Sequence, residues 1–235
     1  MTETVEPSTP AVPAAGLKGE IRVAEPDRGQ RAIARRSAEV RATVPDLELT
    51  SEIEMGAARA LAAEAWASVT AILVRACALA LRDCPRANAA YRDGHFELYS
   101  RVNVGVAIHT EDAYVTPTVL DADTKSLPEL SSELAMLTAR ARAGELTPPE
   151  LAGATFTLCD LSSRRVQRWS ALVTPPQAAA LTAGAIRPAA LTSAGGLAPG
   201  HVMSVTLACD HRILFGVRAA AFLERIIDLI EQGSQ

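Results

Sequence analysis

The stretch from Val205 to Gly216, VTLACDHRILFG, constrains this chain more than any other. A strand-like apolar run, Val205 to Ala208, leads into three polar residues, Asp210, His211 and Arg212, and Gly216 then opens an apolar helix. An imidazole at the end of a buried strand is placed to act as a general base, because its unperturbed pKa of about 6.5 leaves much of it neutral near pH 7. By spacing alone the structural reading wins, because a histidine beside an aspartate is more often a satisfied structural group than a catalyst. The rest of the chain has to decide between the two.

A chain of 235 residues can form one large domain or two small ones. With 49% hydrophobic and 21% charged residues it can bury a sizeable core, and with only 4% aromatics that core must be built from Ala, Leu, Val and Ile. The net charge of -4 comes with no basic surplus and no acidic block, which argues against a nucleic-acid partner. Cys77, Cys84, Cys159 and Cys209 show neither C-x-x-C nor zinc spacing, so they read as reduced thiols and no metal is expected. The N-terminus has no charged start followed by an apolar run, and the apolar segment near residues 65–81 is interrupted by Arg75. The expectation is a cytoplasmic chain without a signal peptide or membrane span.

Residues 1–20 are rich in Pro, Ala, Thr and Glu and bury too little to order, so they read as a disordered leader to one domain over 21–235. Pro26, Asp27 and Gly29 lead into a helix over 29–42 with Ile33 and Val40 on one face, ended by Pro45. Leu47 to Met55 alternates as a half-buried strand. Residues 57–82 read as one long helix, or two meeting near Ser68, with Trp66, Val69, Leu73, Ala76 and Ala80 at helical spacing and Pro85 beyond the end. Asp93-Gly94 marks a hairpin turn. Residues 102–108 and 114–120 read as adjacent strands, the second interrupted by Pro117. Ser126 with Glu129 is a capping box for a helix that Gly144 ends. Strands are expected at 155–159 and at 169–173, then a hairpin turning at Gly195-Gly196, the Asp210-His211-Arg212 strand and a closing helix over 216–231. Strands and helices mixed without strict alternation point to an α+β fold around a largely buried mixed sheet.

In this order the chain resembles the catalytic domain of the 2-oxoacid dehydrogenase acyltransferases and, more distantly, chloramphenicol acetyltransferase. The resemblance is carried by RAIARR (31–36), VNVGVAI (102–108) with VTPTVLDAD (115–123), RAGELTPPELAGATFTL (142–158), TPPQAAAL (174–181) and DHRILFG (210–216). It implies a two-layer fold, a mixed sheet packed by helices, and a homotrimer or a higher assembly of trimers with active sites at the subunit interfaces. It also implies acyl-CoA, most simply acetyl-CoA, as co-substrate, no permanently bound cofactor, and His211 as the base. The leading expectation is O-acetyl transfer to a hydroxyl of a small molecule, for which a tetronate natural-product intermediate is one candidate. The alternatives are transfer to a lipoyl group on a separate chain, or a catalytically degenerate trimeric scaffold.

Two departures accompany the match. Phe215 stands where the family has an aspartate that pairs with an arginine and organises the turn. Cys159 stands where the family has the hydroxyl that steadies the tetrahedral oxyanion. Cys159 therefore has three readings: a weak oxyanion donor, a small buried apolar side chain, or a covalent nucleophile. Asp160, Ser162 and Ser163 are further candidates near it. Asn103, Thr157 and Phe215 are candidates for lining the channel, and Asp210, Arg212 and Gly216 are read as the motif's structural members. His95, His109 and His201 are expected to be solvated, as is the Arg31, Arg35 and Arg36 face of the first helix.

Overall fold

The computed structural model describes residue 19 and residues 21–109, 114–193 and 195–233, so the reading of residues 1–20 as disordered concerns a segment that lies, but for Gly19, outside the described residues. The first helix, α1 (Arg28–Thr43), starts where Asp27 and Gln30 close a capping box: the Gln30 N–H donates to Asp27 Oδ1 at 2.8 Å and the Asp27 N–H to Gln30 Oε1 at 3.0 Å. It buries only Val40 fully, so it lies against the body rather than in it. Pro45 then turns the chain into β1 (Asp46–Glu54).

The segment expected to be one or two helices is two, α2 (Gly56–Glu64) and α3 (Val69–Asp83), bent by 111° at the break. Ser68 caps the second by accepting from the Ala71 N–H at 3.1 Å. Small side chains let α3 sit deep, with Ala71 to Leu81 buried apart from Arg75. Trp66 does not join this apolar face. It sits in the bend with φ +52° and is 94% exposed. No single described helix is long and apolar enough to cross a membrane.

The hairpin β2 (Ala89–Arg92) and β3 (His95–Leu98) turns at Asp93-Gly94, as expected, and forms its own small sheet. β4 (Val104–His109) pairs with two short strands, β5 (Tyr114–Val115) and β6 (Thr118–Val119), split by Pro117. α4 (Leu127–Ala143) begins at the Ser126–Glu129 capping box and ends at Gly144 in the left-handed conformation, φ +70°. Then come β7 (Phe156–Asp160), β8 (Ala179–Ala183), β9 (Arg187–Ser193), β10 (Gly196–Asp210) and α5 (Gly216–Glu231).

The main sheet runs β1-β10-β8-β7-β4-β5, with β4-β7 and β7-β8 parallel and the other pairings antiparallel. This is the mixed α+β sheet that the order of elements suggested. β10 is its spine: 15 residues long, it pairs with β9 over its first half and carries β1 and β8 on its two sides over the second. The helices α3 and α5 cover the sheet, and two aromatic rings meet where α5 packs on it. Phe156 of β7 and Phe222 of α5, both fully buried, meet edge to face at 6.0 Å.

The strand expected at Trp169–Val173 does not form. The segment is tied down by single bonds instead of a ladder. Trp169 Nε1 donates to the Ala183 carbonyl at 3.2 Å, Thr182 Oγ1 donates to the Trp169 carbonyl at 2.6 Å, and the Ala185 N–H donates to the Val166 carbonyl at 2.7 Å. It crosses β8 so closely at Gly184 that a Cβ there would lie 1.9 Å from the Gln167 carbonyl oxygen.

Candidate active site

The Asp210-His211-Arg212 turn is built from its own polar atoms. Asp210 is 4% exposed and its carboxylate accepts from Arg212 at three points: the backbone N–H at 3.0 Å, Nε at 2.9 Å and Nη2 at 2.6 Å. Its carbonyl accepts from the N–H groups of Ile213 and Leu214, both at 2.9 Å, and those two side chains are buried beneath the turn. The bond to Asp210 raises the Arg212 pKa, and the guanidinium also lies over the Tyr91 ring at 4.9 Å. Asp210 and Arg212 thus hold the turn, and His211 is left exposed at the end of β10. Its backbone N–H donates to the Pro45 carbonyl at 2.9 Å, which pins it to the α1–β1 junction.

Phe215 lies at the start of α5, immediately after the Asp210-His211-Arg212 turn. It is the N-cap of α5, 48% exposed, with the Arg218 guanidinium 5.8 Å from its ring and Gly216 following at φ +31°. A phenyl ring has no oxygen to offer the first N–H groups of the helix, and the first turn of α5 has no acidic residue. Phe215→Asn should therefore stabilise the protein by about 0.5–2 kcal/mol, read as a shift in the urea midpoint with the slope unchanged. A lower midpoint would show that the ring contributes more than the missing cap.

Cys159 lies in the middle of the sheet, opposite Ala107 of β4 and Thr182 of β8. It is 8% exposed, and burial together with the neighbouring Asp160 pushes its thiol up to about 12. The pairing register sets its distance from His211. Thr182 faces Thr206, so the two residues are separated by two strand spacings across the sheet and five residues along β10, about 19 Å within one chain. Asp160, half-buried at the end of β7, is already engaged. Its carboxylate accepts from Thr70 Oγ1 at 2.6 Å and from the Ser162 N–H at 2.7 Å, which buckles β7 to α3. Ser162 is thereby part of that buckle, and Ser163 is exposed.

Asn103 and Thr157 border two neighbouring cavities, of about 450 and 220 Å³, which share Gly153, Ala154 and Pro176 as a wall. The amide of Asn103 is nonetheless engaged, donating to the Gly153 carbonyl and accepting from the Asp121 N–H, both at 2.9 Å. Thr157 Oγ1 donates to Gln177 Oε1 at 2.7 Å, and both residues are buried. Gln177 was not singled out from the sequence; a lone amide opening the apolar run 177–183 was the available signal. Arg36 opens onto the same small cavity, while Arg31 donates to the Pro26 carbonyl. Of the histidines expected to be solvated, His95 and His109 are exposed and His201 is half-buried. His109 is bracketed by Tyr114 and Trp169, with ring centroids 6.2 and 6.5 Å away.

Three of the four cysteine thiols, Cys77, Cys159 and Cys209, are each raised from 9.0 to about 12 with burial as the first cause. The unfolded chain releases these protons from about pH 9 upward while the folded one holds them, so the native state binds more protons and stability falls as pH rises through that window. Urea midpoints measured from pH 8 to pH 11 should decline, and replacing Cys77 or Cys209 by alanine should make the decline shallower. An unchanged slope would exclude these thiols as its source.

A mixed sheet covered by helices, with β10 as its spine and His211 on the turn that ends it, is an α+β fold with known counterparts. A solved chloramphenicol acetyltransferase shares this fold with a TM-score of 0.56 at 18% identity, over 86% of this chain and 94% of its own. Residues 19–235 match the family described as 2-oxoacid dehydrogenases acyltransferase (catalytic domain), and the chain belongs to that family. It is 34% identical over 214 residues, 86% of its length, to the dihydrolipoyllysine-residue acetyltransferase component of the pyruvate dehydrogenase complex of Zymomonas mobilis, and covers 48% of that protein. It thus spans about half the length of this curated relative. Among solved structures, a dihydrolipoamide acetyltransferase of Azotobacter vinelandii superposes with a TM-score of 0.87 at 25% identity, over 96% of this chain and 97% of the other. That structure belongs to a study of a serine, a histidine and an asparagine in its catalytic mechanism. The cubic core of a pyruvate dehydrogenase multienzyme complex superposes equally well, with a TM-score of 0.87 at 26% identity over 95% and 97% of the two chains.

Proposed function

We propose that this chain transfers an acetyl group between CoA and the thiol of a dihydrolipoyl group carried elsewhere, using His211 as the base at a site completed between protomers. The observation that carries the reading is the placement of His211: a stiff turn satisfies its own polar groups and leaves the imidazole facing outward, where a thiol-bearing arm can reach it. The curated relative named above is a dihydrolipoyllysine-residue acetyltransferase component, which favours the lipoyl thiol over a small-molecule hydroxyl as acceptor.

The chemistry runs as a direct transfer. Neutral His211 takes the proton of the acceptor thiol, and the resulting thiolate attacks the carbonyl carbon of acetyl-CoA. The carbonyl electrons move onto oxygen, then return as the carbon–sulfur bond to CoA breaks. The imidazolium gives its proton to the departing CoA sulfur, so the base is restored. In the Azotobacter relative the named serine precedes the named histidine by the same interval that separates Cys159 from His211, and its asparagine falls at the interval of Phe215. Cys159 would then stand at the oxyanion-binding position. At about 19 Å from His211 in one chain, it can serve only a histidine supplied by a neighbouring protomer. Its thiol, held protonated by burial, is a weak donor and a poor nucleophile, which speaks against a covalent acyl-cysteine.

A good oxyanion donor is worth about 10²–10³-fold in kcat, so Cys159→Ser should raise turnover by recovering part of that factor. A dead serine variant, with an acyl-cysteine trapped in the wild type, would replace direct transfer by the covalent route. The deciding assay supplies acetyl-CoA with dihydrolipoamide or with simple alcohols and follows CoA release. Acetylated dihydrolipoamide as the preferred product supports the reading. Preference for a hydroxyl moves the acceptor assignment back to O-acetyl transfer, and no CoA release with any acceptor leaves the scaffold reading.

A further inference from the structure

The His211 turn is braced from outside by a hairpin that takes no part in the main sheet. Among the described residues, β2 and β3 pair only with each other. Asp93 and Gly94, at φ +50° and +79°, supply the two left-handed residues that a two-residue hairpin turn prefers. That turn fixes the register Tyr91 opposite Phe96, so both rings lie on one face, with centroids 5.7 Å apart. At its base the hairpin is moored to the chain that leads into β4. The Asn88 amide donates to the Tyr99 and Arg101 carbonyls at 3.0 and 2.9 Å, and the Tyr99 N–H donates to the Asn88 carbonyl at 3.0 Å.

The ringed face carries a cation at each end. The Arg86 guanidinium lies 3.5 Å from the Phe96 ring centroid and the Arg212 guanidinium 4.9 Å from that of Tyr91. Four planar groups therefore follow one another: Arg86, Phe96, Tyr91, Arg212. Arg86 Nε is buried with no hydrogen-bond partner among the described residues, so the ring is the contact that places that side chain. Arg212 is held differently. The edge of its guanidinium is committed to Asp210, through Nε at 2.9 Å and Nη2 at 2.6 Å, which leaves its face for the Tyr91 ring. A planar guanidinium can make both contacts at once, where a lysine ammonium cannot. The Arg212 side chain is 38% exposed, so water competes for its nitrogens, and the ring covers one of its faces.

We propose that Tyr91 is a positioning residue for the transfer reaction. Its ring stacks on Arg212 and keeps the Asp210–Arg212 pair in one place, and that pair fixes the turn from which His211 reaches the acceptor. The inference rests on the reading of His211 as the base, and adds that the hairpin sets where the base stands. A base displaced by about 1 Å can lose about 10²-fold in rate. Tyr91 itself touches no reacting atom, so its removal acts on kcat and leaves the KM for acetyl-CoA in place.

The test follows CoA release from acetyl-CoA with dihydrolipoamide, using the full chain. Tyr91→Leu should lower kcat by about 10- to 100-fold with little change in KM. Tyr91→Phe should keep the original rate, because the ring and not the hydroxyl makes the stack. In the His211→Ala background, Tyr91→Leu should cost nothing further, since no base is left to misplace. A further loss of the same size in that background would overturn the proposal, because the ring would then act on the fold or on another group. An equal loss in Tyr91→Phe would assign the effect to the hydroxyl and overturn the stack. An undiminished kcat in Tyr91→Leu would refute the positioning role while leaving His211 as the base, whereas unchanged turnover in His211→Ala would remove the base itself. Urea curves check that each variant is folded. If Tyr91→Leu is not, Phe96→Leu, at a site 39% exposed and one ring farther from the turn, carries the same comparison, with a smaller loss expected and an undiminished kcat refuting the role.

Discussion

His211→Ala should lower acetyl transfer from acetyl-CoA by about 10²–10⁴-fold, the share of the rate that a positioned base supplies. Stability should move by no more than about 0.5 kcal/mol, as for other surface substitutions. The imidazole is exposed, and the one bond that places the residue, from its backbone N–H to the Pro45 carbonyl, survives in alanine. The turn is held by Asp210, Arg212, Ile213 and Leu214, none of which depends on the ring. Single-turnover measurement of CoA release, beside a urea denaturation curve for the same variant, separates loss of chemistry from loss of fold. Unchanged turnover in the alanine variant would remove His211 from the mechanism and take the proposed function with it.

Phe222→Ala should cost about 3–5 kcal/mol, the usual penalty for emptying an aromatic site in a core. Against a typical total of 5–15 kcal/mol that is a large fraction of the stability. Phe222 is fully buried, and its partner Phe156 is one of the few other aromatic side chains in a core made of smaller residues. A small side chain such as Ala219, one turn earlier on α5, has little reach to close a hole of that size. For a chain of this length each kcal/mol shifts the thermal midpoint by about 2–4 °C, so a fall of roughly 6–20 °C is expected. A loss under 1 kcal/mol would mean that α5 repacks against α3 without the ring. Ile33→Ala on α1 is the natural control, since that side chain is only half-buried.

Much of the fold was legible because local chemistry wrote it. The Ser126–Glu129 box started α4, Gly144 ended it, Asp93-Gly94 turned β2 into β3, and the alternation over 47–55 became β1. Trp169–Val173 misled because apolar content shows a tendency to extend without showing whether a neighbouring strand offers a free edge. Here the segment meets β8 at Gly184 and is fastened by isolated bonds. Trp66 misled for a related reason. Helical spacing placed it on the face of α3, but the 111° bend at the preceding helix end takes it off that face.

From the sequence came the polar turn that carries His211 and the class of sheet, and, through the resemblance to the family, the proposal of His211 as the base and the departures at Phe215 and Cys159. Those are properties of neighbours in the chain, which propensity, capping and motif spacing can report. Tertiary pairing alone decided that β7 and β8 run parallel between β4 and β10. It also decided that Asp160 is spent on Thr70, and that Cys159 and His211 stand far apart within one protomer. Each of these depends on which strands, remote in sequence, find one another and in what register, and a shift of one residue in that register would turn every side chain to the opposite face.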